Sequence, residues 1–212
     1  RRLAGARGPR RVSGEPEFAA LLGGRVEAAA VAPLARYAEL VERWSARHSL
    51  VRYADRRELV ERHLLDALAG SGELTGQGRL LDVGSGAGLP GVPLLVARPR
   101  WSGDLLEPRQ KRWAFLKLVI RELELPAAAL RTRFQDLPAG GRWDCITARA
   151  LGDAEALLAW AGGRLRPAGR VLLWTTEDGV AALRGLEGWR VLSSPLPGLE
   201  RGRLCRLQPC FT

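Results

Sequence analysis

Gly84, Gly86 and Gly88 crowd into five positions behind the apolar run 80–83, within the stretch LLDVGSGAGLPGVP. Residues without a Cβ let a backbone turn sharply off a strand and come close to a ligand. The spacing is G-x-G-x-G, not the G-x-G-x-x-G of dinucleotide sites, and no Gly-Lys-Ser/Thr follows to make a nucleotide-triphosphate loop. The glycines alone leave a phosphate cradle, a nucleoside cradle and a plain turn open. Their acidic neighbours narrow the choice. Asp82 stands just ahead of Gly84, where a carboxylate favours a cationic or amine-bearing ligand and opposes a diphosphate. Glu107 closes the next strand about 20 residues on, where an acid can accept hydrogen bonds from ribose hydroxyls. Phe134, Gln135 and Asp136 end a third strand, with groups that could read an adenine edge. A ribose, an adenine and a positive centre without phosphates describe S-adenosylmethionine. In the competing reading, Asp82 caps the following helix and Glu107 pairs with Arg109 or Lys111.

Methyl transfer from such a cofactor comes in several chemistries. The Asp/Asn-Pro-Pro-aromatic tetrad of exocyclic amine methylation is missing, and the fourth strand instead ends CITARAL. No Pro-Cys nucleophile offers a covalent route, and Cys145, within that strand, reads as a buried core thiol. His48 and His63 both fall in the helical N-terminal part, away from the strand ends, so no general base is expected. An acceptor that is already nucleophilic fits best, such as the N7 lone pair of guanine, for which the enzyme needs mainly to align the reactants. Arg149 ends the fourth strand and is expected to face the cofactor in a positioning role. There it would pair a carboxylate, either the methionine end or Asp82, or hold an RNA phosphate. Arg131 and Arg133 are weaker candidates, since alternation would put both on one face of the third strand.

The frame that must hold these groups is readable in outline. Leu34, Tyr37, Val41, Trp44, His48 and Val51 recur at three- and four-residue steps, which predicts a helix over 31–51. A second helix is expected over 56–69, stopped by Gly70. Short apolar strands are then expected at 79–83, 103–107, 129–134, 143–148 and 169–174, with helices at 90–98, 109–124 and 153–166. Two further strands in the tail read as an antiparallel hairpin closing one edge. The fold class is α/β: a Rossmann-like, doubly wound, mostly parallel sheet with an antiparallel C-terminal strand, preceded by a helical cap. The expected divisions are a basic disordered arm over 1–15, a cap over 16–75 and a sheet domain over 76–212 packed with the cap as one unit.

Bulk properties set the context. A chain of 212 residues fits one domain with a small accessory element. No apolar run approaches the ~20 residues of a membrane-spanning helix, and the Arg-rich start lacks the apolar stretch of a signal peptide. The sequence contains no Met, so trimming at its start is expected. Cys145, Cys205 and Cys210 show no CxxC spacing, which argues against disulfides and a zinc site and suits a reducing cytoplasm. The net charge of +10 favours a polyanionic partner, nucleic acid above all. Coding bias explains Arg in place of Lys, but not an excess of base over acid.

Taken together, these residues resemble the bacterial small-subunit ribosomal RNA guanine-N7 methyltransferases, the RsmG or GidB family. LLDVGSGAGLPGVPLLVARP and LLEPRQKRWAFL are similar to its signature, with the Pro90-Gly91-x-Pro93 that sets it apart from methyltransferases in general. YAELVERWSARHSLV, RHLLDAL, RFQDL and WDCITARAL resemble further family stretches, so the likeness spans roughly 34–176. It implies a cytoplasmic, metal-free, monomeric enzyme that uses S-adenosylmethionine on small-subunit RNA or the 30S particle. Carried over by position, cofactor contacts fall at Asp82, Gly84, Gly86, Gly88, Leu89, Glu107, Pro108, Arg109, Phe134, Gln135 and Arg149. RNA contacts are assigned to Arg133, Lys111 and Arg112. Ser45 and His48 stand where the family usually has asparagines, Gln135 where it has a glutamate, and WTTEDG where it has Lys-Gly. These departures keep two alternatives in view: an RNA-binding homologue weakened in catalysis, or a methyltransferase for another RNA or a small molecule. His63 and Asp66, three apart on a helix, are expected to share a hydrogen bond and join cap to sheet.

Overall fold

Strands that are apolar on both faces need helices on both sides, and parallel strands need helical crossovers to supply them. The computed structural model describes residues 14–150 and 152–210 and meets both needs. The strands are β1 (Gly78–Val83), β2 (Trp101–Leu106), β3 (Ala127–Leu130), β4 (Trp143–Arg149), β5 (Leu165–Thr176), β6 (Trp189–Leu196) and β7 (Leu199–Pro209). They form one sheet in the order β3-β2-β1-β4-β5-β7-β6. The first five pair in parallel, and β7 runs antiparallel to both β5 and β6, as expected of the C-terminal hairpin. The connection reverses direction at β1, whose neighbours are β2 and β4. The carboxyl ends of β1 and β4 therefore flank the crevice where open α/β sheets take their ligands.

One face of the sheet is covered by α1 (Glu15–Leu22), α2 (Ala28–His48), α3 (Arg56–Leu59), a π-helical stretch Val60–Leu65, α4 (Asp66–Leu68), α5 (Gly91–Ala97) and α6 (Gln110–Glu122). The other is covered by α7 (Ala154–Gly162) and α8 (Glu177–Arg184). The two-residue alternation of the strands sends Leu80, Cys145 and Leu172 to the first side and Leu81, Ile146 and Val171 to the second. The α2 stripe buries Leu34, Tyr37 and Val41 against Leu94 and Phe115 in the same apolar cluster as Leu80. Asp55 caps α3 by accepting from the Glu58 backbone N–H at 2.8 Å. Arg36 ties α2 to α1 and α6 through ion pairs with Glu15 and Glu122, and pairs with Glu39 one turn along α2 itself. Trp174 Nε1 in β5 donates to the Asp66 carbonyl at 2.7 Å, and the backbone N–H of Gly198 in the hairpin turn donates to Asp66 Oδ1 at 2.9 Å.

Some expected boundaries move. β3 stops at Leu130, opposite the last residue of β2, because no partner strand remains beyond Leu106. Phe134–Asp136 is consequently a single 3₁₀ turn, not a strand end. The helix expected over 153–166 ends at Gly162, and β5 begins already at Leu165 with a register irregularity between Trp143 and Cys145. The sequence pattern predicts no helix where α8 lies. The basic arm expected over 1–15 lies outside the described residues, except that Gly14 caps α1 and Glu15 opens it. Among the described residues no helix is long and apolar enough to cross a membrane.

Candidate active site

The loop leaving β1 adopts backbone angles that few side chains tolerate: φ is +69° at Gly84, +58° at Gly86 and +96° at Gly88. A Cβ built on Gly84 would meet nothing within 4 Å, so this turn opens onto free space at the crevice. Glu107, only 3% exposed, sits across from it at the end of β2. Its Oε2 accepts from the Gly86 N–H at 3.1 Å and its Oε1 from the Arg109 N–H at 2.8 Å. One carboxylate thus clamps together the loops after β1 and β2 by backbone donors, and the pairing with the charged heads of Arg109 or Lys111 in the competing reading is not formed. A carboxylate has about four lone-pair sites, so both oxygens keep capacity for ligand hydroxyls. The cap reaches the same loop. Tyr37 is fully buried and its hydroxyl donates to the Ala87 carbonyl at 2.8 Å. Burial, reinforced by Asp82, pushes the Tyr37 phenol far up, which keeps it a donor.

Asp82 is fully buried beneath the loop. Its Oδ2 accepts from the Gly91 N–H at the start of α5 at 3.2 Å, and its Oδ1 from the Thr147 hydroxyl at 2.8 Å. The close approach needs glycine: a Cβ on Gly91 would lie 2.7 Å from Asp82 Oδ2. The helix-capping alternative therefore describes the Asp82 carboxylate, which shapes the loop from below. Burial raises its pKa to about 6, against the pull of its hydrogen bonds.

The remaining expected residues divide. Leu89 is buried in the core beside the loop, and Phe134 is buried with its ring edge-on to Trp160 at 5.4 Å. Pro108, Arg109 and Gln135 are exposed around the crevice, as are Lys111 and Arg133. A Cβ on Gly86 would be 3.7 Å from the Arg112 guanidinium, which places Arg112 against the glycine loop. Arg131 lies beyond the strand and stacks over Trp113, so the shared face with Arg133 is not formed. Arg149 does not pair with Asp82, which is held by Gly91 and Thr147. It follows Thr147 on the cap-facing side of β4 and donates from Nη2 to the Arg62 carbonyl at 3.1 Å, while its Nη1 is buried with no partner. Burial lowers the Arg149 pKa, opposed by Asp66. His63 and Asp66 do not bond each other. His63 Nε2 meets the Arg52 carbonyl at 3.2 Å, and Asp66 alone makes the link to the hairpin. Cys145 is a fully buried thiol, as expected.

The sequence marks Tyr37 only as a member of an apolar stripe. A hydroxyl on such a stripe is the signal that it has a buried acceptor to find. A second feature had no sequence forecast: a cavity of about 570 Å³ at the carboxyl ends of β4 and β5, reached by Arg149, Glu155 and Thr175.

Comparison with known proteins places this geometry. The family model described as rRNA small subunit methyltransferase G (GidB) matches residues 30–184. The chain belongs to this family. It is 39% identical over 185 residues to the ribosomal RNA small subunit methyltransferase G of Xanthomonas euvesicatoria pv. vesicatoria, covering 84% of this chain and 86% of that one. It is 38% identical over 203 residues to the protein of the same name from Xanthomonas campestris pv. campestris strain B100, covering 89% and 93%. The glycopeptide N-methyltransferase MtfA, solved in complex with S-adenosyl-L-methionine, shares the fold with a TM-score of 0.56 at 14% identity, over 68% of this chain and 87% of that one. In this methyltransferase G family member, the departure WTTEDG has a local structural role. Thr176 caps α8 by accepting from the Gly179 N–H at 3.4 Å, and Glu177 and Asp178 pair with Arg203 and Arg201 of β7. Ser45, another departure within the family, leaves a buried hydroxyl without a partner.

Proposed function

We propose that this chain transfers the methyl group of S-adenosylmethionine to N7 of a guanine in small-subunit ribosomal RNA. It acts in the cytoplasm as a single chain, with the cap over 16–75 and the sheet domain over 76–212 working as one unit. The observation that carries the reading is the Gly86–Glu107–Arg109 clamp at the β1/β4 switch point of a chain from this family. Glu107 would hold the ribose hydroxyls through its remaining lone pairs, and the open face of Gly84 would receive the methionine end. Leu89, Phe134 and the exposed Gln135 would bound the adenine. When bound there, S-adenosylmethionine would supply a methyl carbon activated by its sulfonium, which the lone pair of guanine N7 would take while the electron pair of the carbon–sulfur bond stays on sulfur. Since N7 carries no proton, no residue of the chain has to remove one. The work left to the protein is alignment, to which in-line displacement is sensitive.

Arg109, Lys111, Arg112 and Arg133 make no ion pair among the described residues and ring the crevice, which supports contact with RNA phosphates. The test uses purified protein, small subunits lacking the modification and labelled S-adenosylmethionine, with the product mapped by mass spectrometry of nuclease fragments. Label at N7 of one guanine is expected. Tight RNA binding with no incorporation would overturn the proposal in favour of a binding protein.

A further inference from the structure

An enzyme that modifies a base must take that base out of its stack and hold it beside the reacting group. The cavity at the ends of β4 and β5 has about 570 Å³, within the range of small-molecule pockets. It lies on the far side of β4 from β1 and its glycine loop. Its walls include Ala148, Leu173, Leu183 and Leu199, apolar surface suited to the faces of a base. Its polar groups are few. The Asp153 carboxylate caps α7 by accepting from the Ala156 N–H at 2.9 Å. Arg149 is one of the lining residues, and its buried Nη1 has no partner. Glu155, an exposed residue in the first turn of α7, stands at the cavity's edge, and its carboxylate makes no hydrogen bond or ion pair among the described residues.

We propose that this cavity receives the unstacked guanine and that Glu155 accepts its N1–H and N2–H₂ donors, which makes Glu155 the residue that selects guanine. The inference rests on the guanine-N7 reading given above. The geometry of the base favours it. With N7 directed across β4 towards the cofactor crevice, the N1/N2 edge points away from it, into the cavity that holds Glu155. O6 lies between the two edges and suits the orphaned Arg149 donor. Adenine would present an N1 lone pair to the same carboxylate and be repelled.

The test compares wild type and Glu155→Gln on small subunits whose RNA carries either guanosine or inosine at the mapped position. Inosine keeps N1–H and N7 but lacks the N2 amine. Wild type is expected to lose roughly 10- to 100-fold in kcat/KM on inosine, the scale of one charge-assisted hydrogen bond. Glu155→Gln is expected to lose a similar factor on guanosine, to discriminate less between the two bases, and to bind S-adenosylmethionine like wild type. Equal wild-type rates on guanosine and inosine would overturn the proposal, as would an unchanged guanosine/inosine ratio in the variant. Absence of any N7 methylation by wild type would instead remove the underlying reading, so the two failures are distinct.

Discussion

Replacing Asp82 tests how the loop is built without touching its exposed surface. The carboxyl is fully buried and its pKa rises from an ordinary 3.8 to about 6. A rise of roughly two units is worth about 3 kcal/mol of differential stability. Because the folded state binds this proton more tightly than the unfolded chain, the contribution is complete below the unfolded value. It is lost as the pH climbs through the folded one. Asp82→Asn removes the titration yet can keep the bonding. Its carbonyl can accept from the Gly91 N–H, its amide can donate to Thr147, and the Thr147 proton can turn to the Leu81 carbonyl 3.4 Å away. Wild-type stability relative to the Asn variant should therefore fall by about 3 kcal/mol between roughly pH 4 and pH 7. Asp82→Ala should cost about 1–3 kcal/mol at neutral pH, since the Gly91 N–H would be buried unpaired while the Thr147 hydroxyl can still turn to the Leu81 carbonyl. Urea denaturation midpoints across this range, at constant ionic strength, measure both effects. Parallel wild-type and Asn curves would refute the argument.

Glu107→Ala and Gly84→Asp should each weaken S-adenosylmethionine binding at least 10-fold, the scale of one hydrogen bond to a charged group; calorimetry giving wild-type affinity for both would rule out the pocket. Tyr37→Phe leaves the Ala87 carbonyl without its buried donor and should cost about 1–2 kcal/mol. It should also raise the KM for S-adenosylmethionine more than it changes kcat, and an unchanged KM would show that the glycine loop does not need the cap. RNA affinity should fall steeply with salt, and Lys111→Ala should reduce the slope by about 1; filter binding at several salt concentrations would expose a flat dependence as evidence against phosphate contacts.

Much of this site was legible because its parts are local. The glycines, Asp82 and Glu107 sit at strand ends, and strand ends in an alternating β/α pattern converge by topology. What the carboxylates bond to was less legible. Asp82 could serve a ligand or a helix until the buried Thr147 hydroxyl, from a strand far along the chain, showed where its second oxygen goes. The contacts of Tyr37 with Ala87 and of Asp66 with Gly198 join residues 50 and 132 positions apart, which no local pattern encodes. The π-helical stretch Val60–Leu65 carries the same apolar repeat as an ordinary helix, so its different hydrogen bonding left no trace in the sequence. α8 is a single eight-residue helix with Gly179 inside it, too short for periodicity to separate it from a loop. β3 is an alanine-rich strand of four residues whose end is set by the length of its neighbour.

The clasp at Asp66 also bears on how the molecule comes to be made. Trp174 and Gly198 reach back 108 and 132 residues to the same aspartate. Closing loops of that length carries a large entropic cost before any contact rewards it. During synthesis, at about 5–20 residues per second, the first helices wait several seconds for the hairpin that completes their seat. Until β5 emerges Asp66 lacks the indole, and until the hairpin follows it lacks the turn, so the apolar stripe of α2 depends on whatever part of the sheet has already been made. The helices of the cap are thus translated before the sheet that seats them and are among the last of these elements to be locked in place.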